Sequence, residues 1–268
     1  MDKRAEMING FYDGYVEDTR LSRSRHGQLE YLTTMKYIHQ FVPVKANVIE
    51  IGAGTGRYSI ALAKEGHDVV AIELAKSNLD LLRKNSNGME NIVSYQGDAL
   101  DLSRFQDNTF DTTLVLGPLY HLYDEKDQQQ ALDEAIRITK DGGTIVVAFL
   151  SVHAILFDNY LQGDLRAGIE ENFTEDYQVK HFTEQLFTGF NVDEFEALFR
   201  NKPIEWITTV ATDSILELAE GREDFVMSDE DFRAFAKYHL HNCEKRELLG
   251  CSSHLLYICR KNTRITLL

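Results

Sequence analysis

The segment Glu50-Ile51-Gly52-Ala53-Gly54-Thr55-Gly56 constrains this chain more than any other feature. It follows the apolar run Asn47-Val48-Ile49-Glu50-Ile51, which reads as a short buried strand. It precedes Tyr58 to Lys64, which reads as a helix stopped by Gly66. A strand that runs through glycines into a helix lets backbone approach a ligand closely, beside a helix N-terminus. The spacing is G-x-G-x-G. In the dinucleotide-binding register G-x-G-x-x-G, the third glycine would fall on Arg57, so that register fails. An acid two positions before the first glycine repels a pyrophosphate and suits a ligand carrying an ammonium and a sulfonium.

The same rhythm continues downstream. Asp68–Leu74, Asn91–Tyr95, Phe110–Leu116 and Thr144–Leu150 read as strands. Ser77–Asn85, with Ser77 as N-cap, and Lys126–Ile138, closed by Asp141-Gly142-Gly143, read as helices. Strand–helix alternation with short connections predicts a parallel sheet covered on both faces. Residues 1–41 read as helical and end before Pro43. After residue 150 the alternation lapses. Val192–Arg200 and Asp229–Lys245 read as helices, Ile204–Ala211 and His254–Cys259 as strands, and 151–190 and 213–252 as insertions.

The 268 residues carry 43 acidic and 28 basic side chains, a net charge of −15. That balance disfavours tight binding to nucleic acid and to anionic membranes. No apolar run reaches transmembrane length, and the charged start MDKRAEMING lacks the apolar core of a signal peptide. Three cysteines near the C-terminus are expected to be buried and inert, and the cytoplasm is the expected compartment. No metal site is expected: His239 and His241 are two apart on a helix, and Cys243, Cys251 and Cys259 match no common zinc spacing. No glycine-flanked elbow surrounds Ser252 or Ser253, while His254 stands at a strand start within reach of a pocket.

Two further acids complete a pattern. Glu73 lies 21 residues after Gly52, at the end of the second strand, and Gln96-Gly97-Asp98-Ala99 follows the third. Together with Glu50 and the glycine loop, they make the chain resemble the class I S-adenosylmethionine-dependent methyltransferases, most clearly over residues 44–150. The resemblance implies one α/β domain over 1–268: a doubly wound, Rossmann-like, mostly parallel seven-stranded sheet. Its last strand, assigned to 254–260, would run antiparallel beside the fifth. Residues 1–43 would form a helical lid, and the insertions would shape an acceptor pocket. The implied cofactor is S-adenosylmethionine, leaving S-adenosylhomocysteine. Glu50, Gly52, Ala53, Gly54 and Gly56 would pass beside its methionine part. Glu73 and Leu74 would take the ribose, and Asp98, Ala99 and Leu116 would flank the adenine and the reacting end.

The acceptor side is less marked. Leu116-Gly117-Pro118-Leu119-Tyr120-His121-Leu122 occupies the place where base and glutamine N-methyltransferases carry Asn/Asp-Pro-Pro-Tyr. Gly117 lacks the side-chain acceptor, so the segment is similar instead to small-molecule methyltransferases. Tyr120 and His121 are the candidate catalytic residues, His121 as a proton acceptor or alternatively as a packing residue. Tyr12, Tyr15 and Arg20 are the candidate substrate contacts on the lid. Arg20 fits equally a surface helix with charge pairing. Phe157, Tyr160, Phe173, Tyr177 and Phe182 suit either an acceptor wall or the insertion's own core. The expected reaction is in-line methyl transfer to a small hydroxyl or amine acceptor, which asks more of positioning than of acid–base chemistry. Methylation of RNA or protein and a non-catalytic, cofactor-binding subunit are the alternatives.

Overall fold

Strand alternation decides which side chains meet the helices. A computed structural model describes residues 3–182 and 185–263, so the helical reading of Met1 and Asp2 lies outside the described residues. Two helices, α1 (Lys3–Gly14) and α2 (Arg25–Phe41), are joined by a single 3-10 turn at Glu17–Thr19. The repeating core follows: β1 (Asn47–Ile51), α3 (Arg57–Lys64), β2 (Asp68–Glu73), α4 (Lys76–Asn85), β3 (Ile92–Gln96), β4 (Phe110–Val115), α5 (Glu125–Ile138) and β5 (Thr139–Ser151). The remainder is α6 (Val152–Tyr160), α7 (Leu165–Asn172), α8 (Val192–Ala197), β6 (Ile204–Ala211), α9 (Leu216–Glu220), α10 (Asp229–Asn242), α11 (Arg246–Leu249) and β7 (His254–Lys261).

The seven strands lie in the order 3-2-1-4-5-7-6, and a two-residue strand, Gly189–Phe190, pairs with the end of β5. Strands 1 to 5 are parallel to their neighbours. β7 runs antiparallel between β5 and β6, Ile145 facing Cys259 and Val210 facing Leu256. This is the predicted doubly wound sheet, with its last strand inserted beside the fifth.

Ile49, Ile51, Val147 and Phe149 point to one face, where they pack with α5 and α8 through Leu132, Ile136 and Phe195. Val48, Val146 and Ala148 point to the other and pack with Tyr37 and Ile38 of α2 and Leu62 of α3. Glu50 shares this second face by the two-residue period, so its carboxylate meets the first turn of α3.

Three local expectations are corrected. The N-cap of α4 is Ala75, which makes no side-chain cap bond, and Ser77 lies inside the first turn. The Asp141-Gly142-Gly143 stretch does not close α5: the helix ends at Ile138 and β5 begins at once. Gly142 takes φ +76° where the pairing of β4 with β5 shifts register, so the glycines mark an irregularity within a strand. Cys243 and Cys259 are buried as expected, but Cys251 is exposed. The 151–190 stretch carries α6, α7 and the short Gly189–Phe190 strand, and the 213–252 stretch carries α9, α10 and α11. Among the described residues, no helix is long and apolar enough to cross a membrane.

Candidate active site

All the loops that follow β1 to β4 open on the same edge of the sheet, and a cleft forms there. Its floor is the glycine loop. Gly52 has φ +77°, and a Cβ on it would stand 2.6 Å from Cδ of Pro118, so both backbone and space demand glycine. Gly54 and Gly56 also have positive φ. Of the residues assigned to a cofactor, Glu50, Gly52, Ala53, Gly54, Glu73, Leu74, Asp98, Ala99 and Leu116 all line this cleft. Gly56 does not: it caps α3 with its back against Leu82 and Ile60.

The acids at the cleft are held by backbone. Glu73 accepts hydrogen bonds from Gly54 N (2.7 Å) and Ala75 N (2.8 Å), which ties the ends of β1 and β2 together. Glu50 accepts from the backbone N–H and the hydroxyl of Ser59 in α3. Burial pushes Glu73 up to about 7 and Glu50 up to about 8, against the opposing pull of these hydrogen bonds. The Glu73 charge raises Glu50 further and the Glu17 charge raises Glu73, and no ion pair to either carboxylate is formed among the described residues. Two buried carboxylates in want of a positive charge, and the buried Thr55 hydroxyl without a partner in the same loop, fit a cationic ligand with polar groups. Asp98 accepts from Leu100 N (3.1 Å) and is ion-paired with Arg4.

The roof is α1. Arg4, Ile8 and Tyr12 recur every four residues and face the cleft together. Tyr12 sits above His121. The Leu186 carbonyl, 2.7 Å from Nδ1 of His121, can only accept, so the proton is on Nδ1. Nε2 then accepts from the Tyr12 hydroxyl, 3.1 Å away. Burial lowers the His121 pKa to about 4, so the ring is neutral. Both ring nitrogens are thus engaged, one by the Leu186 carbonyl and one by the Tyr12 hydroxyl. Burial raises the Tyr12 and Tyr120 hydroxyls well above their ordinary value.

A second cavity of about 380 Å³ adjoins the first. Tyr12, Glu17, Arg20 and Tyr120 line both and form the passage between them. Tyr15 lines the second cavity alone, stacked on Phe11 with centroids 5.1 Å apart. Arg20 is no surface residue. It donates two hydrogen bonds to Glu30 (2.6 and 2.9 Å) and one to Glu17 (3.1 Å). Gly27 permits this: a Cβ there would lie 2.4 Å from the Arg20 carbonyl, so the turn packs directly on α2. Phe157, Tyr160, Phe173, Tyr177 and Phe182 line neither cavity. Tyr160 and Phe173 pack in a cluster of α6 and α7, and the aromatic wall comes instead from Phe11, Tyr12, Tyr15, Tyr120 and Phe187.

Sequence reasoning missed Glu17, Glu30, Asp213 and Phe187. Asp213 is fully buried and accepts from His254 Nδ1 (2.7 Å), Ser252 Oγ (2.5 Å) and Ser253 N (3.0 Å). Despite desolvation, Glu30 and Asp213 push His254 up to about 9, so it is an imidazolium. Glu30, Asp213 and His254 bring three potential metal ligands together. Arg20 already neutralises Glu30 and the imidazolium neutralises Asp213, so the trio is a closed ion cluster.

A family model described as a methyltransferase domain matches residues 49–147. The demethylmenaquinone methyltransferase of Clavibacter sepedonicus is 33% identical over 104 residues, covering 39% of this chain and 41% of the relative. The chain thus spans about two fifths of that relative's length. The demethylmenaquinone methyltransferase of Staphylococcus haemolyticus is 31% identical over 180 residues, covering 59% of this chain and 72% of the relative. In fold, a S-adenosylmethionine-dependent methyltransferase from Thermotoga maritima is similar, with a TM-score of 0.59 at 20% identity, over 96% of this chain and 99% of that one. The glycine loop, the acids at the strand ends, the strand order and these similarities lead to one conclusion: the chain belongs to the class I S-adenosylmethionine-dependent methyltransferases.

Proposed function

We propose that this protein transfers the methyl group of S-adenosylmethionine to a small molecule held in the second cavity. The observation that carries this reading is the shared passage: Tyr12, Glu17, Arg20 and Tyr120 line both cavities, so a group in the cleft and a molecule in the cavity meet between them. The relatives' names describe a small-molecule acceptor as well. S-Adenosylmethionine supplies an already activated methyl on a sulfonium. Glu73 is the ribose ligand, since its two oxygens accept from two hydroxyls. Asp98 serves the adenine side, and Glu50 with the loop from Gly52 to Gly54 serves the methionine end. Tyr12 and Tyr120 enclose the passage and exclude water, and His121 orients Tyr12. In-line positioning of donor and acceptor carries much of the rate. The direct test is release of S-adenosylhomocysteine from S-adenosylmethionine with a panel of small hydroxyl and amine compounds. Saturable release with at least one supports the reading, and none with any of them contradicts it.

Tyr12→Phe removes the hydroxyl that binds His121 while keeping the aromatic roof. Turnover is expected to fall about tenfold, the loss of one hydrogen bond of about 1–1.5 kcal/mol, with cofactor affinity nearly unchanged. Steady-state rates alongside calorimetric titration separate the two.

The raised acids set a pH dependence. Below the ordinary carboxyl value of 4.5, Glu50 and Glu73 are protonated in both folded and unfolded chains. As pH rises through about 7 and 8, the buried groups are forced to ionise, and the stability they contribute is lost. A cationic ligand favours the ionised forms. The thermal shift produced by S-adenosylmethionine is therefore expected to be larger at pH 8.5 than at pH 6. Equal shifts would contradict the placement of both acids at the cofactor.

A further inference from the structure

Resting on the reading above, we propose that the second cavity selects a cationic amine, held by Asp158 and Glu217 among the aromatic rings of the lid. The cavity has cationic and anionic side chains on its walls, and their pairing decides its character. Arg20 is spent on Glu30, with two hydrogen bonds of 2.6 and 2.9 Å. His254 is spent on Asp213 at 2.7 Å, and His26 lies 2.6 Å from the Glu220 carboxylate. None of these three partner acids lines the cavity. Arg23 is exposed at the rim and donates to the Tyr15 hydroxyl at 2.9 Å.

The carboxylates on the wall are not balanced in this way. Glu17 shares Arg20 with Glu30. Asp158 on α6 accepts only the Ser253 hydroxyl, 2.7 Å away. Glu217 on α9 has no hydrogen bond or ion pair to its carboxylate among the described residues, yet its charge is felt at Asp158. An unmatched pair of acids and a group of aromatic rings line the same cavity. There Phe11 stacks on Tyr15 at 5.1 Å and meets Phe187 edge-on at 5.3 Å. Ring faces and carboxylates together favour an ammonium, which gains from both. A neutral alcohol gains from neither charge. An anion is repelled by both acids.

The test uses the whole protein saturated with S-adenosylhomocysteine and titrates benzylamine, benzyl alcohol and benzoate calorimetrically. Benzylamine is expected to bind at least about tenfold more tightly than the other two. Glu217→Gln should remove much of that preference, and Asp158→Asn with Glu217→Gln should remove it all, with S-adenosylhomocysteine affinity unchanged as the check on folding. The Glu217 side chain has no other hydrogen-bond or ion-pair partner among the described residues, so its single variant keeps the test open if the double variant unfolds. Equal binding of amine and alcohol, tighter binding of benzoate, or no binding of any of the three overturns the amine site while leaving the methyltransferase reading intact. Failure of the wild-type protein to bind S-adenosylhomocysteine overturns the reading itself, and the amine proposal with it.

Discussion

Glu73→Ala is expected to weaken S-adenosylmethionine binding about 100-fold or more in a protein that still folds. The carboxylate closes the cleft from the end of β2, and its oxygens lie on the Gly54 and Ala75 N–H groups. A hydrogen bond to a charged group is worth about 1.5–3 kcal/mol. Two of them to ribose hydroxyls would lift the loss well past the 1.4 kcal/mol that makes a tenfold change. Part of that is offset in the folded chain, because removing a desolvated carboxylate with a pKa near 7 relieves a burial cost. Stability should therefore change little while affinity collapses. Glu73→Gln, which keeps one acceptor and loses the charge, should fall between. Calorimetric titration of the three proteins, with thermal melts alongside, reads both effects. Undiminished affinity in Glu73→Ala would move the ribose elsewhere.

Phe195→Ala is the substitution expected to cost most stability. Phe195 is fully buried in α8 and lies flat on Phe149 of β5, with centroids 3.9 Å apart and planes 7° from parallel. Phe190, Phe199 and Tyr257 surround it at 5.1, 5.8 and 6.3 Å. This aromatic stack fastens the second half of the chain to the sheet, because Phe149 and Tyr257 stand on adjacent strands. Truncating a buried phenylalanine costs about 3–5 kcal/mol, and several rings would lose a partner at once. Urea unfolding should show that loss in the midpoint. A change below about 1 kcal/mol would mean that the rings repack, and that α8 is less integral to the core than its contacts imply.

Legibility in the sequence followed the range of the interactions. The glycine loop, Glu73 and Asp98 stand out because strand, turn and helix are local signals, and each acid lies at a strand end. The strand order came with the family resemblance, since β7 enters between β5 and β6 from the far end of the chain. Other features depend on crossings that no window contains. Arg20 looks like a helix-surface cation until Gly27 lets its turn settle on α2 and deliver it to Glu30. Asp213 becomes part of the site only because the end of β6 lies against the start of β7. Phe187 lies outside any helix or strand, and nothing in its neighbours' periodicity marks it as cavity wall. The aromatic residues of 151–190, which suited either a pocket wall or the insertion's own core, are divided between a small local cluster and the surface, as with Phe173 and Tyr177. Gly142 and Gly143 read as a stop because positive φ is common at helix ends; here the same freedom serves a register shift.

The most direct test of the central claim is calorimetric titration of the protein with S-adenosylhomocysteine, S-adenosylmethionine and NAD. Saturable binding of the first two and none of the third is the predicted result. Binding of NAD alone, or of none of the three to a folded protein freed of copurified ligand, would contradict the assignment of the cleft between Glu50, Glu73 and Asp98.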